Sequence, residues 1–159
     1  MTTYWENNDG LTVSFGPIET LKNVAAAIND EGTGGTLRVP VEGASITTGA
    51  VHPQFESGAY IPAGALIVSA TLIVSVPFDS AGDAGTLDIG TYDEDGVAIS
   101  ADGIDADIAQ GAIDAAGDVV VCNGALIGTV VAENSYPVLS YATAAFTAGE
   151  ALLVIEYVK

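Results

Sequence analysis

Basic residues are almost missing from this sequence: Lys22, Arg38 and Lys159 stand against 21 acidic residues, for a formal charge of −18. Binding to nucleic acid relies on Lys and Arg displacing counterions from phosphates. This chain is repelled by DNA and RNA, and nucleic acid is excluded as a partner. Histidine and cysteine occur once each, as His52 and Cys122. A lone cysteine forms no internal disulfide, so the fold does not depend on an oxidising compartment. No apolar run reaches the ~18 residues that a membrane span needs. The opening Met-Thr-Thr-Tyr-Trp-Glu-Asn-Asn-Asp has no basic stretch before an apolar core, so neither a secretory signal nor a membrane partner is expected. Phosphate loops, dinucleotide fingerprints and zinc-ligand spacings are absent.

What is there is apolar, small and extended. The 159 residues are 49% hydrophobic and include 19 glycines, which suits one domain with a real core. The dominant stretch runs from Leu66 to Phe78. Leu66, Val68, Ala70, Leu72, Val74, Val76 and Phe78 fall on one parity; Ser69, Thr71 and Ser75, with Ile67 and Ile73, fall on the other. A period of two means a strand with one face in a core. At about 3.3 Å per residue it spans roughly 40 Å, the length of a sandwich strand. Pro62 and Gly64 launch it, and Pro77 is expected to close it.

Further strands are expected at Leu11–Phe15, after the Asn8-Asp9-Gly10 turn, and at Thr36–Val41, Thr86–Tyr92, Val97–Ile99, Tyr136–Tyr141 and Glu150–Val158. Asp118–Cys122, Asn123-Gly124 and Ala125–Val131 read as a hairpin with a type I′ turn. Residues 19–31 read equally as a helix or an extended arm. Asp102–Gln110 reads as a short helix: Asp102 is an N-cap, Ile104 and Ile108 share a face, and Gly111 is a stop. Strands without strand–helix alternation make an all-β, jelly-roll-type β-sandwich with one short helix. The division is a segment or arm over 1–35 and a sandwich over 36–159.

Three groups of residues are candidates for function. Asp93, Glu94, Asp95, Asp102, Asp105 and Asp107 form the densest carboxylate cluster, and Asp93, Asp95, Asp102 and Asp105 are its candidate ligands for Ca²⁺ or Mg²⁺. The spacing departs from an EF-hand loop, and turn formation with helix capping explains the same residues; no cofactor is expected. Tyr4 and Trp5, with Leu11 and Val13, are aromatic and apolar residues near a polar terminus. They serve either as an interface anchor or as packing for their own sandwich. In the last strand Leu153, Ile155 and Tyr157 oppose an equally apolar Leu152, Val154 and Val158, so both faces are covered. Either the strand is central, or a neighbouring subunit lies on it. The −18 charge reads as solubility, or as attraction for cations and basic partners. His52 and Cys122 have no triad-like surroundings, so no catalytic residue is assigned.

The run Tyr60-Ile-Pro-Ala-Gly-Ala-Leu-Ile-Val-Ser-Ala-Thr-Leu-Ile-Val, then Thr86-Leu-Asp-Ile-Gly-Thr-Tyr-Asp-Glu-Asp-Gly and Asp102-Gly-Ile-Asp-Ala, resembles capsid decoration (cement) proteins of tailed phages, cyanophages among them. Tyr4-Trp5, Asp9–Gly16 and Leu153–Tyr157 resemble the same group. The resemblance implies a jelly-roll subunit, a homotrimer, bound to the major capsid protein outside the shell of a virion whose parts are made in the host cytoplasm. It carries no catalytic residues. Two other classes stay open: another virion part, such as a head fibre, collar or tail attachment module that binds glycans, and an acidic hydrolase of sugars or esters.

Overall fold

The computed structural model describes residues 3–6, 12–15, 34–46 and 60–159. All of their regular structure is strand or short 3₁₀ turn. β1 (Thr3–Glu6) and β2 (Thr12–Phe15) form an antiparallel pair with Trp5 opposite Val13. The remaining strands are β3 (Gly35–Glu42), β4 (Leu66–Ser80), β5 (Thr86–Tyr92), β6 (Ala98–Ala109), β7 (Val119–Val121), β8 (Tyr136–Ala142) and β9 (Phe146–Val158). They make one four-stranded sheet, β3-β9-β4-β7, and one three-stranded sheet, β6-β5-β8, both antiparallel. Asn8-Asp9-Gly10, Leu11, residues 19–31 and His52 lie outside the described residues.

From β4 onward the chain changes sheet at every connection except β5–β6, the wrapped path of a jelly roll.

Alternation builds the core. Leu37, Val39 and Val41 are buried while Arg38, Pro40 and Glu42 between them are exposed. Leu72, Val74, Leu153 and Ile155 meet Leu87, Ile89, Ile104 and Leu139 of the other sheet in one continuous cluster. Each such side chain stabilises the fold by about 1.5–3 kcal/mol relative to exposure. The end of the sandwich near β4 is closed by Phe78 and Phe146, edge to face at 5.3 Å. A buried polar chain lies beside them: Ser80 Oγ donates to Gln110 Oε1 and accepts from the Gly85 amide, while Gln110 Nε2 donates to Asp83.

The structure corrects four local expectations. The segment 102–110 is strand β6, not a helix, and Asp102 caps nothing. Ile104 and Ile108 are four apart, and four residues return to the same face in a helix and in a strand alike. Pairing with β5 decides for the strand, and a bulge with Asp107 at φ 53° absorbs the extra residue. The long strand does not keep one parity. Register shifts at Ile67/Ser69 and Val74/Val76 turn Val68 and Val76 outward and bury Ile67 instead. Pro77 does not end it, and β4 runs on to Ser80. Finally, β7 pairs with β4 rather than folding back at Asn123-Gly124. Gly124 has no positive φ; it is glycine because a Cβ would come within 2.4 Å of the Gly103 carbonyl oxygen.

Candidate interaction surface

The outward face of the β3-β9-β4-β7 sheet is where the surface chemistry departs most from an acidic protein. Register places Pro40, Leu152, Ile73 and Val119 in one row across the four strands, and Arg38, Val154, Thr71 and Val121 in the next. Val121 is 71% exposed and Val119 57%; Leu152 and Val154 are half-buried. These two rows hold no carboxylate and one cation. Glu42 and Glu150 face each other across β3 and β9 at one end, with Val76 beside them, and Glu156 lies at the other end. There Ser69 Oγ donates to Glu156 at 2.8 Å. Val68 and Val158 border a shallow groove with Thr36 and Glu156, and Val130 pairs with Leu66 alongside. Of the eight large apolar side chains exposed among the described residues, all but Val97 belong to this face. Large apolar patches on a protein surface are a feature of interaction sites.

The three-stranded sheet is different. Asp88 and Asp107 sit on it, the Asp107 amide donating to Asp88 at 2.8 Å.

The expected site residues fall as follows. Val158 is exposed beside half-buried Leu152 and Val154, and β9 is central between β3 and β4. Tyr4, Trp5 and Val13 lie on the β1–β2 pair, and Leu11 is outside the described residues. Asp93 Oδ1 accepts the Asp95 and Val97 amides at 2.9 and 2.8 Å, which closes the β5–β6 turn. Asp102 is exposed, whereas Asp105 is buried beside Cys122. No three of His, Cys, Asp and Glu gather as metal ligands among the described residues. Burial, and then the Asp105 carboxylate to which the thiol donates, push Cys122 up to about 12. A neutral thiol is a poor nucleophile. Burial also raises the Tyr157 phenol, with Tyr60 adding to it.

No protein-family model matches the chain, and no curated protein does. Three solved structures share its architecture. A chain of the cyanophage Pam1 capsid asymmetric unit is 20% identical with a TM-score of 0.52, covering 91% of this chain and 99% of that one. A chain of the Ralstonia phage GP4 capsid is 19% identical at 0.53, covering 80% and 85%. A chain of the acidic stable capsid structure of Helicobacter pylori bacteriophage KHP30 is 14% identical at 0.52, covering 78% and 86%. At such identities the likeness shows a shared fold.

Sequence reasoning missed Ile73, Val119 and Val121 as surface residues and placed Val68 and Val76 inside. Ile73, apolar on the second parity of the long strand, was the available signal; Ile67, on the same parity, is buried.

Proposed function

We propose that this chain is a capsid decoration (cement) protein of a tailed phage, a homotrimeric subunit that binds the major capsid protein on the outer surface of the shell and stabilises it. The observation that carries this reading is the sandwich shared with capsid chains of three phages, over 99% of the cyanophage Pam1 chain. Two physical points support it. A formal charge of −18 is better tolerated outside a DNA-filled particle than as its lining. A covalently inert core with an exposed apolar sheet face suits binding rather than turnover. The N-terminal segment, 1–35, docks on the shell through Tyr4 and Trp5, and the sandwich, 36–159, stands outside. The role requires neither catalytic residues nor a resident cofactor. Co-sedimentation of the recombinant chain with empty capsids tests it: a saturating, stoichiometric bound fraction is expected, and a chain left wholly in the supernatant refutes it.

A further inference from the structure

We propose that Asn123-Gly124 is a self-modifying site, unreactive while it straps the two sheets together and converted to aspartate or isoaspartate once they part. The inference goes beyond the virion reading and does not depend on it.

An asparagine followed by glycine carries both halves of a reaction. The Gly124 amide nitrogen, on losing its proton, attacks the side-chain carbonyl carbon of Asn123. The new carbon–nitrogen bond closes a succinimide ring, the side-chain carbon–nitrogen bond breaks, and ammonia leaves carrying the proton. Water then opens the ring at either carbonyl. One opening gives aspartate. The other gives isoaspartate, which routes the main chain through the former side chain and lengthens it by one carbon. Glycine favours the closure because no Cβ obstructs the approach. The sequence holds this pair once.

The fold leaves the electrophile open and holds the nucleophile. Asn123 is exposed. The Gly124 N–H donates to the Ile104 carbonyl at 2.9 Å, so the nitrogen that would attack is tied to β6. Just before the pair, the Cys122 N–H donates to the Ala70 carbonyl of β4, also at 2.9 Å. Residues 122–124 therefore cross from the four-stranded sheet to the three-stranded one, fixed at both ends. Beyond them the Leu126 N–H donates to the Gly103 carbonyl at 2.7 Å. Turning the Gly124 nitrogen onto the Asn123 side chain breaks its bond to Ile104. It also moves Gly124 where there is little room, since a Cβ there would meet the Gly103 carbonyl oxygen at 2.4 Å. Ring closure waits on local opening, and proceeds only in the small fraction of molecules that are open.

Conversion is not neutral for the sandwich. Isoaspartate puts an extra carbon into a strap whose ends are pinned to different sheets. It also adds a carboxylate to a chain already at −18. The site records an opening and makes the next one easier.

The full chain is held in mildly alkaline buffer at one temperature and matched ionic strength, folded in one arm and unfolded in guanidinium chloride in the other. Peptide mapping by mass spectrometry reads the fraction of Asn123 converted. The unfolded arm is expected to convert steadily, and the folded arm at least about tenfold more slowly. Equal rates in the two arms, or an Asn123 that stays unconverted in the unfolded arm, overturns the proposal. The isoaspartyl chain is then separated chromatographically, refolded and compared with unconverted chain in urea. A lower unfolding midpoint is expected. An unchanged midpoint shows that residues 122–124 strap nothing together, and likewise overturns it.

Discussion

The Phe78 ring of β4 lies against the backbone of Gly149 in β9, so close that a Cβ at position 149 would come within 2.5 Å of the ring. Gly149 also has φ +127°, a conformation that L side chains rarely adopt. The contact lets the two central strands stay paired while the aromatic ring turns to meet Phe146. Gly149→Ala is expected to lose roughly 2–4 kcal/mol of stability, from overpacking and backbone strain together. Urea unfolding checks this; a loss below about 0.5 kcal/mol would mean that the ring moves aside freely.

The bulges in β4 make a second expectation. Leu72 is fully buried and Val68 is 49% exposed, although both share one sequence parity. Leu72→Ala should destabilise by about 2–5 kcal/mol, and Val68→Ser by no more than about 0.5. Equal losses at the two positions would restore an uninterrupted alternation and contradict the register shift at Ile67/Ser69.

Cys122 sets a pH dependence of known sign. Its thiol lies at about 12 in the folded chain against 9.0 unfolded. Below pH 9 both states hold the proton and its contribution is complete. Between about pH 9 and 12 the unfolded thiol ionises and the folded one does not, so stability falls as pH rises. Cys122→Ala removes this contribution, so the gap in urea midpoint between wild type and variant should move in the variant's favour from pH 8 to pH 11. A constant gap would count against the burial of the thiol.

The acidic turn is expected to be a turn and no more. Asp93 Oδ1 is engaged by two amides of its own loop. Millimolar Ca²⁺ or Mg²⁺, at ionic strength matched with NaCl, should leave Tm unchanged; a saturable rise would establish a cation there.

Much of the sandwich was legible because alternation is a local property. Leu37, Val39 and Val41 in β3, and Leu153 and Ile155 in β9, follow the two-residue period that burial of one face imposes. The errors occurred where pairing with a distant strand overrides local pattern. The Ile104–Ile108 spacing satisfies two periods at once, and only β5 selects between them. A bulge such as that at Ile67/Ser69 leaves no local mark, so Val68 could not be told from Ala70. Gly124 was read through its turn preference, whereas its role is to let two backbones approach. The interaction face was half legible: Leu152, Val154 and Val158 stood out in the final strand, but their neighbours Ile73, Val119 and Val121 depend on cross-strand register.

Truncation separates the two parts of the proposed subunit. Removing residues 1–9 takes away β1 with Tyr4 and Trp5 and leaves the sandwich strands β3–β9 in place. The truncated chain should keep its circular dichroism spectrum and lose co-sedimentation with capsids; unchanged docking would remove the N-terminal segment from the contact.

The central claim, an inert two-layered clamp on the outside of a phage shell, meets its most direct test in a cryo-EM map of the intact particle. The account expects sandwich-shaped density seated on the external surface of the capsid lattice, its N-terminal strands turned toward the shell. Density for this chain confined to the tail, the interior, or nowhere on the particle would contradict it.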